Sequence, residues 1–139
     1  MIDLDNKTSL HVDVDFLEKM VSSLSDKDVE LVVTTEDEIQ QINKEYRGKN
    51  SSTDVLSFPY EDMPFTPLGS IVISSAHVEQ KAKELGHSTD DELALLFIHG
   101  LLHILGYDHE VDDGQMRQKE EELIKKFNLP KSLIVRTQG

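Results

Sequence analysis

An α+β fold is predicted by three features of the sequence. Several short segments alternate apolar and polar residues or are uniformly apolar, which is strand patterning. Between them lie segments with apolar residues at helical spacing. One further segment, Leu93 to Leu105, is apolar almost all round. A helix without a polar face is a buried one. The expected architecture is therefore a mixed sheet of about four strands packed with about five helices, with the buried helix at the centre.

Each element has a local reason. Residues 2–5 alternate apolar and acidic side chains and suggest a short strand. Val14, Leu17, Met20, Val21 and Leu24 recur at helical spacing over 14–24. Residues 29–34 alternate around Val29, Leu31 and Val33 as a strand. Thr35 and Glu38 have capping-box spacing and open a helix with Ile39, Ile42 and Tyr46 on one face, stopped near Gly48. Residues 53–58 form a strand ended by Pro59, and the proline-rich stretch from Pro59 to Leu68 is a loop. Gly69 to Ser74 is the next strand. Val78, Ala82 and Leu85 mark a helix closed by Gly86. Thr89 and Glu92 form a second capping-box pair before the buried helix, which Gly106 ends in a left-handed conformation. An acidic helix follows from about Asp112 to Phe127, with Met116, Leu123, Ile124 and Phe127 inward. Strand order is not readable from these patterns.

Composition narrows the function. The 139 residues suit one domain spanning 1–139, without internal repeats or a long linker. There is no cysteine, so disulfides, Cys-based zinc fingers and iron–sulfur clusters are excluded. Any metal must be held by His, Asp or Glu. The first residues carry two acids and no basic-then-apolar run, unlike a signal peptide. The longest apolar stretch is too short and too polar to span a bilayer. A soluble cytoplasmic protein without a membrane partner is expected. The formal net charge of −13, from 27 acids against 14 basic residues, repels nucleic acid unless cations gather at one place.

The chemistry concentrates in His99-x-x-x-His103-x-x-Gly106-x-x-His109. Residues four apart on a helix share a face about one turn apart. Gly106 lets the chain turn back, so that His109 can approach from a loop. Three neutral imidazole nitrogens bind Zn²⁺ and leave a coordination position open. The bland alternative is a set of core histidines with hydrogen-bonded rings. Burying two in an apolar helix without partners would cost several kcal/mol, which favours the metal site. The spacing resembles the metzincin zinc-peptidase motif, but the glutamate that serves there as general base is Gly100 here. Peptidase chemistry is disfavoured, and Gly100 is expected to leave space beside the metal. Asp108 and Glu110 flank His109 and are candidates to orient an imidazole or to join the metal. A solvated acidic loop is the plainer reading.

The segment from His99 to His109 resembles the signature of the YbeY family of bacterial metal-dependent endoribonucleases, the rRNA maturation factors. Tyr46 to Pro59 and Leu68 to Ile73 are similar to two further family blocks, and the likeness runs from about residue 30 to 127. The resemblance implies one Zn²⁺ per chain on His99, His103 and His109, with nickel or another divalent transition metal suited to the same nitrogens. It implies that Arg47 joins the three histidines as a catalytic residue. By residue chemistry alone, Arg47 at a helix C-terminus is more simply a compensator of the helix dipole. The resemblance further implies cleavage of single-stranded RNA, maturation of small-subunit ribosomal RNA, ribosome quality control, and a ribosome or ribosome-associated protein as partner. Ser70 stands where the family usually has Asp.

The expected mechanism is metal-assisted phosphodiester hydrolysis, with Arg47 gripping the phosphate. Two rivals differ in class. One is a metal hydrolase of a non-RNA substrate. The other is a non-catalytic ribosome assembly factor with a structural metal. His11, His77 and His87 lie in polar surroundings and read as surface groups. Thr53 and Ser57 read as strand residues, and Lys125, Lys126 and Lys131 as solvated lysines.

Overall fold

The computed structural model describes residues 1–107 and 114–130. Nine elements follow in the order β1 (Ile2–Asn6), α1 (Val14–Leu24), β2 (Val29–Thr34), α2 (Glu36–Arg47), β3 (Val55–Pro59), β4 (Gly69–Ser74), α3 (Ser75–Leu85), α4 (Thr89–Ile104) and α5 (Gln115–Lys126). The expected α+β class and the counts of strands and helices hold among the described residues. The sheet order is β1-β2-β4-β3. β1, β2 and β4 are parallel, while β3 runs antiparallel to β4 and forms an edge.

The period-2 patterning sorts the strand residues onto two faces. Val29, Leu31, Val33, Ile71 and Ile73 pack with α1, α4 and α5 in the main core. Leu56 and Val72 face the other way, onto Ile39 of α2, with Val32, Ile42 and Phe58 beside them. α4 packs against β3, β4, α1, α3 and α5. Eleven of its sixteen residues are buried, including every one from Glu92 to Ile98. No helix among the described residues is long and apolar enough to cross a membrane.

Three local expectations are corrected. β3 begins at Val55 and includes Pro59, whose missing N–H is tolerated because it ends an edge strand. The N-cap of α4 is Ser88, whose hydroxyl accepts from Asp91 N at 3.1 Å, and Thr89 is already helical. Glu92 is no capping residue either. Its buried carboxylate lies 2.9 Å from His87 Nε2, and the His87 side chain is only 5% exposed. His87 is therefore a buried partner within the α3–α4 junction and not a surface group. The cap has a testable consequence. Ser88→Ala should cost about 1 kcal/mol, a Tm loss of about 3–4 °C. Thr89→Ala, which removes no cap, should stay within about 1 °C by calorimetry.

Candidate metal centre

His99 and His103 lie on the last two turns of α4, and both rings are half-buried. The ring centroids are 4.7 Å apart with the planes at 79°. Their Nε2 atoms approach to 3.1 Å. The other ring nitrogen of His99, Nδ1, lies 2.8 Å from Oε1 of Glu120 on α5. A carboxylate accepts, so Nδ1 of His99 carries the proton and donates to Glu120. The lone pair of His99 is then on Nε2, the atom that faces His103. This is the arrangement by which a carboxylate fixes the tautomer of a metal-ligating histidine.

Two states satisfy the 3.1 Å approach. In one, Nε2–H of His103 donates to Nε2 of His99. In the other, both nitrogens share an ion. Two bonds of about 2.0–2.1 Å meeting at a tetrahedral angle place their nitrogens about 3.3 Å apart. The observed separation fits that geometry with little movement, and neutral nitrogen donors suit Zn²⁺ and its neighbours. Among the described residues, His, Asp and Glu form no group of three that would hold an ion. The third expected ligand, His109, lies outside the described residues, as do Asp108 and Glu110. The helix end leading toward it is built as expected. Gly106 has φ 103°, and Tyr107 N donates to Leu102 O at 3.0 Å, which reverses the chain directly after His103.

Sequence reasoning assigns Glu120 no role, although a signal exists. It lies four residues after Met116 and before Leu123 and Ile124, on the buried face of α5. An acid on the apolar face of a helix needs a partner, and a histidine at a metal site is a suitable one.

Gly100 does something other than leave space for a substrate. It is buried, and a Cβ there would lie 3.0 Å from Ile71 Cγ2 and 3.4 Å from Val55 Cγ2. The glycine lets α4 press onto β3 and β4 at the level of the histidines. Gly69 allows a second close approach, because a Cβ there would meet Phe58 O of β3 at 2.5 Å and Ile104 Cδ1 of α4 at 3.1 Å.

Arg47 ends α2 on the opposite face of the sheet. Its Nη2 donates to the Ser57 carbonyl at 2.9 Å, and its guanidinium lies over the Phe58 ring, 5.6 Å from the centroid. These contacts hold it on the edge strand β3, whose other side abuts Gly100 through Val55. Neither of these contacts of Arg47 is to a histidine. Ser57 contributes its main chain to this arrangement, while its buried side chain is that of a strand residue, as expected.

Ser70 sits away from the histidines. It pairs with Glu30 of β2 and Phe58 of β3, on the sheet face of Val72. The nearby Tyr60 hydroxyl donates to Glu30 Oε2 at 2.8 Å. Burial, then Glu30, pushes the Tyr60 phenol above its ordinary value, and Ser70 slightly opposes this. The residue that replaces the usual acid therefore belongs to a polar group on the α2 side. His77 turns its Nδ1 to Ser74 Oγ at 2.9 Å, and exposed His11 pairs with Asp90 at 3.1 Å. Lys125 and Lys126 are exposed as expected, and Lys131 lies outside the described residues.

Known proteins resemble the chain along nearly all of its length. The family model described as Endoribonuclease YbeY matches residues 4–128. A protein named Endoribonuclease YbeY from Sulfurimonas denitrificans is 60% identical over 139 residues, covering all of both chains. The Helicobacter pylori protein of the same name is 55% identical and covers 99% of each chain. A Thermotoga maritima protein solved in solution superposes with a TM-score of 0.63 at 29% identity, covering 91% of this chain and 89% of its own. The match extends over nearly all of the described structure and includes both histidine-bearing turns of α4. The chain belongs to the Endoribonuclease YbeY family.

Proposed function

We propose that this chain is a metal-dependent endoribonuclease that cleaves single-stranded RNA in the maturation of small-subunit ribosomal RNA. One zinc-type ion is held by His99, His103 and His109. The observation that carries the reading is the convergence of two Nε2 atoms at 3.1 Å, with the far nitrogen of His99 tied to buried Glu120. The relatives named Endoribonuclease YbeY supply the reaction class.

When bound, the ion supplies a water of lowered pKa and positive charge against a phosphate oxygen. The protein's own groups do the rest. Glu120 keeps the proton of His99 on Nδ1 and so keeps Nε2 available as a ligand. Arg47, already oriented by Ser57 and Phe58, grips a phosphate with its planar fork. As negative charge grows on that phosphate, the guanidinium stabilises it further. A chain of net charge −13 repels free RNA at long range. That repulsion favours targeting by the ribosome or a ribosome-associated protein, and a role in ribosome quality control belongs to the same reading.

Elemental mass spectrometry of the purified protein should find about one zinc-like ion per chain. A labelled single-stranded RNA should be cut by the loaded protein and spared after chelation. Arg47→Ala should lower kcat/KM by about 100-fold, the scale of losing one preorganised charge-stabilising group. Arg47→Lys should recover only part, because a point charge replaces a fork. Both variants should retain the ion. Full cleavage by Arg47→Ala would remove Arg47 from the mechanism, and cleavage that survives chelation would refute the metal scheme.

A further inference from the structure

The last turn of α2 presents an aromatic ring that the proposed chemistry leaves unused. Tyr46 is 67% exposed. It is not loose, because its ring meets Phe58 edge-to-face at 5.8 Å and 67°. Phe58 is fixed in turn against the cluster of Ile39, Leu56 and Val72. Whichever ring supplies the edge, at least one face of Tyr46 remains in solvent.

The surroundings are cationic and rigid. Residues 44–49 contain Lys44, Arg47 and Lys49 against a single acid, Glu45, on a chain that is otherwise strongly acidic. Gly48 closes the helix at φ 69°, and the buried Asn43 side chain donates to Ser51 O at 3.0 Å, which pins the following turn onto α2. Arg47, the next residue along, has its guanidinium over the other ring of the pair. A fixed aromatic face beside a fixed guanidinium is the combination that binds single-stranded nucleic acid, with the ring stacking a base and the cation following the backbone. Such stacking tolerates any base, since every base has a π-face.

We propose that Tyr46 is a nucleobase-stacking subsite, which holds a base of the RNA next to the nucleotide whose phosphate Arg47 grips. The subsite rests on the reading of the substrate as single-stranded RNA. It places the RNA along the outer edge of β3, on the α2 side, before the strand reaches the histidines.

The protein contains no tryptophan, so Tyr46→Trp introduces a single reporter at the subsite. The probe is a short 2′-O-methyl oligoribonucleotide, checked by gel to stay intact through the titration, compared with an abasic oligomer of the same length and charge. The first should quench the tryptophan fluorescence of this variant, while the abasic oligomer should not. Tyr46→Leu should weaken binding of the first by about ten-fold, within the range of one lost stack, and leave abasic binding unchanged. Tyr46→Phe should restore it. In cleavage assays Tyr46→Leu should raise KM more than it lowers kcat. Equal quenching by both oligomers, or tight binding without quenching, would overturn the subsite while leaving the RNA reading intact. Absence of both RNA binding and RNA cleavage by the unaltered protein would overturn both.

Discussion

His99→Ala should strip the ion from the protein and abolish RNA cleavage while leaving the helix folded. The substitution removes one of the two converging Nε2 atoms and the link to Glu120 in a single step. Alanine is the best helix former, so α4 keeps its backbone. Metal content should fall from about one ion per chain to near zero. Loss of several kcal/mol of charge stabilisation and water activation corresponds to at least about 10³-fold in rate. A second readout is independent of activity. Free zinc at 100 times its Kd should stabilise the unaltered protein by about 2.7 kcal/mol, about 10 °C in Tm for a chain of this size. The variant's Tm should not respond. Glu120→Gln is the graded counterpart, because it keeps the shape but removes the carboxylate that sets the tautomer. Its ion affinity should fall by about 10–100-fold. A His99→Ala protein that kept both ion and activity would refute the three-histidine site.

Gly100→Glu should be the most destabilising single change near the site, and it should confer no peptidase activity. The substitution restores the residue that the zinc peptidases carry next to their first histidine. In this fold the position faces the sheet. The new Cβ alone would lie 3.0 Å from Ile71 Cγ2, tighter than side chains tolerate without moving. The rest of the side chain would then drive a carboxylate between α4, Ile71 and Val55. Overpacking costs about 1–3 kcal/mol, and a buried, unpaired carboxylate adds several more. A total of about 4 kcal/mol or more is a large part of the 5–15 kcal/mol typical of a whole domain. Thermal unfolding should move down by more than about 12 °C, or the variant should fail to accumulate as folded protein. An unchanged Tm would show that α4 does not depend on this close approach.

Much of the fold is local in origin and was legible in the residues. The bounds of α1, β2 and β4 agree with the patterning because apolar period is a property of consecutive side chains. The spacing of His99 and His103 is equally local, since the turn of a helix sets which residues share a face. So is the left-handed Gly106 that reverses the chain after them.

Tertiary structure decided what depends on distant residues meeting. The order β1-β2-β4-β3 arises from pairings that no single segment encodes. Glu120 reaches His99 across 21 residues of sequence, and only the packing of α5 against α4 shows that the acid has a histidine to orient. His87 and Glu92 look like a surface residue and a helix cap until the α3–α4 junction buries them together. Gly100 reads as open space in the sequence, yet it is where α4 touches the sheet. Arg47 reads as a helix-end charge, yet its hydrogen bond to Ser57 and its place over Phe58 set it on the edge strand β3. The sequence by itself determined the element types and the histidine spacing, because both follow from backbone geometry over a few residues. The partners of those residues were decided by packing, because burial creates needs for charge and hydrogen bonding that only a neighbour from another element can meet.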